Sequence, residues 1–320
     1  MIHALPMRTL AERYLDLRRS MGFQLKTEGQ LLLQFADYVD RSGHSGPLTE
    51  ELALRWSRLP SSSSRRYQAR RLEVVRCFAR HIAAMVPGTE VPGSRLLGPA
   101  HRRRSPYIFT ARQIRILLHA AEQLGPVDSL RPLTCSTLIG LLACTGLRIS
   151  EALRLQRDEV DIERGVLLIR QTKFRKSRLV PMHPSTSARI RRYATMRDER
   201  IRAKTTTFFV GSSGGPLPYS TFSHTFRGIC RRQQWPLQQG PRTPRIHDLR
   251  HTFAVQRLLM WYEQGIDVAH TVASLSTYLG HGKVTDTYWY LTGTPELMAM
   301  AAKRFERSAS SRSGGDHEQQ

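Results

Sequence analysis

The chain has 320 residues, which is long enough for two domains with separate hydrophobic cores. Lys and Arg number 49 against 26 Asp and Glu, giving a formal net charge of +23. A positive field of this size attracts polyanions and favours nucleic acid as the partner; the alternative is a basic surface that serves only solubility. No apolar run approaches the ~18 residues of a membrane span, and the first residues lack a signal-peptide core, so we expect a cytoplasmic protein without a membrane partner.

Residues 1–87 are predicted to form a small helical domain that contacts nucleic acid. Arg66 and Arg70 stand four residues apart on one predicted helix, where like charges repel unless a polyanion lies beside them. We therefore expect both to contact DNA, although a solvated basic face is the alternative. The apolar stripe of this helix consists of Leu72, Val75, Ala79 and Ile82.

Residues 88–107 are predicted to be a linker, because they are rich in Gly and Pro and interrupted by charges. They carry Arg102, Arg103 and Arg104 in one run. A basic linker between two domains is well placed to follow a phosphate backbone, so these three arginines are expected to bind DNA.

Residues 108–307 are predicted to be a second domain, mainly α-helical with a small antiparallel sheet, followed by a disordered tail over 308–320. Thr110 and Gln113 form a capping box before the first helix, and Gly146 ends the second. Residues 166–170 and 178–181 read as a hairpin with a basic turn, and 207–210 read as a third strand. Further helices are expected from about residues 220, 247, 268 and 295.

Arg148 follows the glycine-terminated helix directly and stands at the start of the next one. An arginine there is a good phosphate ligand, because its charge is permanent and its donors form a planar fork. Glu151 lies within reach to orient the guanidinium. Alone the pattern is weak, since Arg-x-x-Glu is a common surface ion pair.

His247, Arg250 and His251 share one face of a predicted helix by their spacing. His-x3-His is also a spacing of zinc ligands. However, no carboxylate or thiolate stands out as a third ligand, and the intervening arginine would repel a cation, so we expect no metal. His251 is equally consistent with a buried structural histidine.

A third cluster follows Gly280, where His281 comes at once and Tyr290 comes nine residues later. Tyr288 and Tyr290 are two residues apart, so on a helix they point about 200° away from each other. Only one of the two can face a given pocket.

These three clusters, with the basic hairpin between the first two, resemble the tyrosine recombinase (phage-integrase) family over nearly the whole chain. The matching blocks are 145–155, 247–254 and 279–290. The resemblance implies an N-terminal helical core-binding (SAM-like) domain and a C-terminal tyrosine-recombinase catalytic domain. It also implies a double-stranded DNA substrate, a homo-oligomer that forms a tetrameric synaptic complex, and possible sister recombinases.

The resemblance also implies residue roles. Arg148 and Arg250 resemble the arginines that hold the scissile phosphate, His247 the proton acceptor, and His281 a phosphate donor. Tyr290 matches the family's nucleophile by its distance from His281. The general acid is a lysine of the hairpin turn, for which Lys173 fits better than Lys176. Glu151 and His251 are expected to support this set, and Arg175, Lys176 and Arg178 to bind DNA.

The expected reaction is site-specific strand exchange through a 3′-phosphotyrosyl bond, with no metal, ATP or other cofactor. A type IB topoisomerase-like relaxase shares the chemistry, but the chain is short and its motifs are integrase-like. A catalytically idle DNA-binding relative is disfavoured by the complete residue set, and a metal-dependent nuclease is the weakest alternative. A helix over about 295–305 is expected either to dock on a neighbouring protomer or to pack on its own domain.

Overall fold

A computed structural model describes residues 5–59, 61–100, 106–126, 128–170, 177–201, 205–233, 235, 243–281 and 283–288. The chain divides into two compact units, Met1–Arg104 and Ser105–Gln320. Across the ranges just given, no helix combines the length and apolar character that crossing a membrane requires.

The described part of the first unit is helical. Thr49 and Ser64 each precede a helix and accept a hydrogen bond from a backbone N–H of its first turn, which explains where those two helices begin. Its core includes Phe35 packed edge-on against Trp56, with ring centroids 5.2 Å apart. The helices are α1 (Met7–Ser20), α2 (Lys26–Arg41), α3 (Glu50–Arg58) and α4 (Arg65–Ile82). The predicted apolar stripe of α4 is confirmed, since Leu72, Val75, Ala79 and Ile82 are all buried.

The described part of the second unit is mainly helical around one small sheet. The predicted capping box is present: Gln113 N donates to the Thr110 side chain, and Thr110 N donates to the Gln113 side chain. The helices are α5 (Ala111–Glu122), α6 (Arg131–Thr145), α7 (Ile149–Arg154), a short 3₁₀ helix (Arg157–Glu159), α8 (Pro184–Arg200), α9 (Tyr219–Arg232), α10 (Ile246–Glu263) and α11 (Val268–Leu279).

The sheet has three antiparallel strands in the order β1 (Val160–Asp161), β2 (Val166–Ile169) and β3 (Arg178–Pro181). The predicted hairpin is confirmed: β2 pairs with β3 in a register that sets Ile169 opposite Arg178. The basic turn that joins them, residues 171–176, lies outside the described residues. The fold class predicted from the sequence, mainly α with a small antiparallel sheet, is confirmed.

The predicted third strand at 207–210 does not form as a strand: the segment makes two isolated antiparallel bridges, Gln156–Thr207 and Val210–Pro216, and side chains of α8 bind several of its backbone groups. Arg197 donates from Nη2 to the Thr207 carbonyl at 2.7 Å and from Nε to the Phe208 carbonyl at 3.0 Å. The Tyr193 hydroxyl accepts from the Val210 N–H at 3.1 Å. Apolar residues fill this segment because it is buried, and burial alone produced the strand-like pattern.

Two helices end at glycines whose carbonyl oxygens face arginine side chains. Gly146 ends α6 with φ 62°, and Gly280 ends α11 with φ 68°, both in the left-handed region. Residues with a Cβ adopt that region at a cost of ~1–2 kcal/mol, so glycine is the expected helix-ending residue. Gly146 is also crowded: a Cβ there would lie 2.5 Å from Cδ1 of Phe253.

Gly146→Ala is therefore expected to lower the free energy of unfolding by about 3 kcal/mol, the sum of left-handed strain and overpacking against Phe253. Urea denaturation of the full chain measures the change. Gly265→Ala is the matched control, because Gly265 has φ +71° but nothing within 4 Å of its added Cβ. It is expected to cost only ~1 kcal/mol, and equal losses for the two variants would contradict the crowding at Gly146.

Candidate functional site

The site is assembled where α10 begins and where α6 and α11 end. Arg250, near the start of α10, is only 2% exposed. Its Nη1 donates to the Gly146 carbonyl at 2.7 Å, and its Nη2 donates to the Leu279 carbonyl at 2.8 Å. The last carbonyls of a helix lack partners within the helix and carry partial negative charge, so a guanidinium is well suited to bridge two of them.

Arg148 immediately precedes α7 and joins the same cluster from the other side. Its Nη2 donates to the Gly280 carbonyl at 2.8 Å, and its Nη1 donates to Oε1 of Glu151 at 2.9 Å. Its backbone N–H donates to Oε2 of the same carboxylate at 3.0 Å. Glu151 thus orients the Arg148 guanidinium, as the spacing suggested, and it is buried rather than part of a surface ion pair.

A third arginine, Arg178 at the start of β3, binds the same carboxylate of Glu151. Its Nη1 and Nη2 donate to the two carboxylate oxygens at 3.2 and 2.9 Å, and its Nε donates to the Tyr278 carbonyl at 2.8 Å. Burial alone would raise the pKa of Glu151, but its hydrogen bonds and charge contacts with Arg178, and then with Arg148, hold that pKa below the ordinary value. The carboxylate therefore stays charged and ties β3, α7 and α11 together.

The approach of Arg178 also explains the glycine at position 280. A Cβ on Gly280 would lie 2.8 Å from Nη1 and 3.0 Å from Cζ of Arg178. The backbone preceding His281 can pass this close to the guanidinium only without a side chain.

His247 and His251 lie one turn apart at the start of α10, with ring centroids 4.6 Å apart in an edge-to-face arrangement. His247 is partly exposed to solvent. The protein atoms packed around its ring, and next the Arg250 charge, lower its pKa to about 4. Burial, and next His247, lower the pKa of His251 to about 3. Both imidazoles are therefore neutral at pH 7.

His281 directly follows Gly280, and its backbone N–H donates to the Ser276 carbonyl at 3.0 Å. Burial, and next Arg250 and Arg148, lower the pKa of His281 to about 3. Its Nδ1 lies 2.7 Å from the hydroxyl of Thr287, a residue with no exposed surface. The site therefore contains cationic arginines and uncharged imidazoles.

The structure brings together four of the six predicted catalytic residues, Arg148, His247, Arg250 and His281, with the supporting residues Glu151 and His251. Lys173 and Tyr290 lie outside the described residues, as do the expected DNA contacts Arg102, Arg103, Arg104, Arg175 and Lys176. The described Tyr288 is 45% exposed.

The remaining expected DNA contacts differ from one another. Arg66 is exposed, whereas Arg70 pairs with Glu28 at 2.7 Å and so already has a counter-charge. The side chain of Arg178 is only 12% exposed and is engaged by Glu151. This position differs from the DNA-facing role expected for Arg178 and places its guanidinium beside Glu151 and Arg148 instead. Sequence spacing gave no sign of the pairing, because 27 residues separate the two partners.

A metal centre was the alternative interpretation of His247 and His251. Within the ranges that the structure describes, no three His, Cys, Asp or Glu side chains are grouped as a metal site requires. Arginine charges outnumber the one carboxylate, Asp248, that acts on His247, and this balance suits an anion.

Two arginines at helix ends, an uncharged histidine beside each, and a carboxylate that fixes one of the arginines define a site for a phosphate-like anion.

Comparison with known proteins shows the family to which the chain belongs. Residues 108–296 match the model of the phage integrase family. A Sinorhizobium fredii protein, y4rB, named as an integrase/recombinase, is 40% identical over 305 residues, covering 94% of this chain and 97% of the relative. The tyrosine recombinase XerD of Rhizobium meliloti is 29% identical over 228 residues, covering 70% of this chain and 68% of the relative.

Among solved structures, the Tn1549 transposon integrase in complex with transposon right end DNA is similar, with a TM-score of 0.70 and 15% identity. The match covers 95% of this chain and 100% of that chain. This likeness concerns the fold alone. The family match over more than half of the chain and the 40% identity to y4rB identify the chain as a member of the phage integrase family of tyrosine recombinases.

Proposed function

We propose that this protein is a site-specific DNA recombinase that cleaves and rejoins strands through a 3′-phosphotyrosyl intermediate. The observation that carries the proposal is the cluster of Arg148, Arg250, His247 and His281, assembled where α6 and α11 end and α10 begins. The net charge of +23 supports a DNA substrate.

The two arginines would hold the non-bridging oxygens of the scissile phosphate. The five-coordinate transition state carries more negative charge on these oxygens than the ground state, so fixed cations stabilise it selectively. Glu151 keeps Arg148 in place without contacting the phosphate. His281 adds an uncharged donor.

The reaction begins when the phenol oxygen of Tyr290 forms a bond to phosphorus and the bond from phosphorus to the 5′-oxygen breaks. The phenol proton passes to His247, whose pKa of about 4 leaves it unprotonated and able to accept at neutral pH. The leaving 5′-oxygen takes its proton from Lys173, with Lys176 as the alternative. The product is a 3′-phosphotyrosyl bond and a free 5′-hydroxyl.

Attack by a second 5′-hydroxyl on the phosphotyrosyl bond reverses the step and joins a new partner strand. Because the bond energy is kept in the covalent intermediate, the proposed reaction needs no ATP and no metal. Strand exchange requires more than one active site on the DNA. One similar solved structure is a lambda integrase tetramer bound to a Holliday junction, so we extend the proposal to a homo-tetramer on DNA, with or without sister recombinases.

The experiment recovers protein-linked DNA from cells that express the full chain, after denaturation, and sequences the junction. A duplex of the mapped sequence, nicked so that the short 5′-hydroxyl fragment diffuses away, should then accumulate a denaturation-resistant complex in the presence of EDTA. The protein should be attached at a DNA 3′ end. Recovery of no protein-linked DNA from cells, or of no complex on the nicked duplex, would contradict the proposal.

A supercoiled plasmid without the mapped sequence distinguishes recombination from relaxation. A recombinase leaves this plasmid supercoiled and exchanges strands between two plasmids that carry the sequence. Relaxation of the plasmid that lacks it would instead favour the topoisomerase-like alternative.

A further inference from the structure

Thr287 is a buried polar residue for which the proposed chemistry has no role. It has no exposed surface, and its hydroxyl lies 2.7 Å from Nδ1 of His281. It belongs to a short helical turn after His281, where its backbone N–H donates to the Val284 carbonyl at 2.8 Å. Valine would fill the same volume, so the feature that distinguishes threonine here is the hydroxyl.

The hydroxyl of Thr287 has an unusual hydrogen-bond partner. Threonine in a helix commonly donates to the carbonyl four residues earlier. Within the described residues, Thr287 makes no such bond to the Lys283 carbonyl, and its hydroxyl faces the imidazole of His281 instead. By contrast, the hydroxyls of Thr134, Thr145, Thr252, Thr271 and Thr277 all donate to the carbonyl four residues earlier.

The direction of this hydrogen bond determines which tautomer the neutral imidazole of His281 adopts. A neutral imidazole has one N–H, and the bond made at one nitrogen sets the protonation of the other. If the hydroxyl donates to Nδ1, the proton of the ring is on Nε2. Arg250 and Arg148 bind the carbonyls of Leu279 and Gly280, the two residues just before His281, so an Nε2 proton is a donor on a ring beside these cations.

We propose that Thr287 is a positioning residue whose hydroxyl donates to Nδ1 of His281, fixes the Nε2–H tautomer and orients that donor for the phosphate. The expected effect of this bond on cleavage rests on the proposed function, whereas the tautomer of His281 can be measured in the protein without DNA. An uncharged donor strengthens the anion site without adding a further cation beside two arginines.

The bond also links two parts of the site. Thr287 stands three residues before Tyr290 in the sequence, on the turn that leads to the proposed nucleophile. The position of that turn and the orientation of the phosphate donor are therefore coupled, because displacing the turn removes the hydroxyl from His281.

Three variants of the full chain test the proposal. Thr287→Val keeps the shape and removes the hydroxyl, Thr287→Ser keeps the hydroxyl, and Thr285→Val makes the same change at an exposed threonine of the same turn. Nitrogen NMR of histidine-labelled protein, with His281→Gln used to assign the signal, reports which ring nitrogen carries the proton. We expect Nε2–H in the wild type, the Ser variant and the Thr285 control, and a mixture of tautomers in Thr287→Val.

Single-turnover cleavage of saturating nicked duplex provides the second measurement. Thr287→Val is expected to lower the rate about tenfold, the upper range for one neutral hydrogen bond, with unchanged DNA affinity. The Ser variant and the Thr285 control should cleave at close to the wild-type rate. Thermal unfolding of the Val and Ser variants separates an effect on the imidazole from a loss of folding.

An Nδ1–H signal in the wild type, or identical histidine spectra for the wild type and Thr287→Val, would overturn the positioning role. So would a wild-type cleavage rate in Thr287→Val. If the wild type cleaves no DNA while the tautomer responds as expected, the proposed function fails and the positioning of His281 stands.

Discussion

A Tyr290→Phe variant is expected to form no covalent complex with nicked DNA, while Tyr288→Phe forms it at close to the wild-type rate. Phenylalanine keeps the ring but lacks the oxygen that bonds to phosphorus, so no other group of the site can replace it. The two variants differ only in which of two neighbouring tyrosines loses its hydroxyl. Denaturing electrophoresis of the trapped complex measures the result.

The choice between the two tyrosines rests on the residues around His281. Tyr288 is 45% exposed, although the preceding Thr287 is buried against His281. The family's nucleophile follows this histidine by nine residues, and that spacing predicts Tyr290 rather than Tyr288.

Binding must be shown to survive in the Phe variant, because a protein that no longer binds DNA also forms no complex. Tyr290→Phe is expected to retain its affinity for the intact duplex, since the arginines and the remaining basic surface are unchanged. A covalent complex in Tyr290→Phe, or its loss in Tyr288→Phe with binding retained, would show that Tyr290 is not the nucleophile.

Local patterns in the sequence predicted the elements that carry the site. The helix end at Gly146, the hairpin that brings Ile169 opposite Arg178, and the helix end at Gly280 were all predicted and are all present. Each depends on residues close in sequence, where turn chemistry and periodicity act. For the same reason, His247 and Arg250 were correctly placed together at the start of one helix.

Contacts between distant residues could not be predicted in the same way. Arg178 reaches Glu151 across 27 residues, and Arg70 reaches Glu28 across 42. Arginine pairs with any nearby carboxylate, so the sequence alone does not reveal which partner the fold will supply. The Thr287 contact with His281 spans only six residues, but it depends on a turn whose direction no local pattern specifies.

Glu151→Gln is expected to be the most damaging substitution that preserves side-chain shape within the described cluster. The amide has no charge, and its NH₂ group faces the N–H groups of Arg148 and Arg178 instead of accepting from them. Two guanidiniums are then left beside each other with little solvent, since the Glu151 and Arg178 side chains are only 3% and 12% exposed. Breaking a buried pair in this way costs about 3 kcal/mol of folding free energy.

Cleavage should fall further than stability alone explains. Arg148 loses its bond to Oε1 of Glu151 and keeps only its contact with the Gly280 carbonyl among the bonds found for its guanidinium. A displacement of about 1 Å in a positioning group lowers the rate on the order of 10²-fold. We expect a loss of that size in single-turnover cleavage, measured at a temperature where the variant remains folded.

The stability difference between the wild type and Glu151→Gln should depend on pH. The folded-state pKa of Glu151 lies below its ordinary value of 4.5, because its interactions with Arg178 and Arg148 outweigh the effect of burial. Its charge therefore stabilises the fold fully above about pH 4.5, and this contribution is lost as pH falls from there through the folded-state pKa. The three neutral histidines affect both proteins equally, so they cancel in the difference.

Glu163→Gln makes the same chemical change at a surface ion pair and is the matched control. Glu163 pairs with Arg191 at 3.0 Å, with side chains 87% and 54% exposed. Exposed pairs contribute only ~0–1 kcal/mol, so this variant should unfold and cleave much like the wild type. If Glu151→Gln lost no more stability than Glu163→Gln, or if its deficit did not shrink below pH 4.5, then the buried carboxylate would not be what holds the two arginines together.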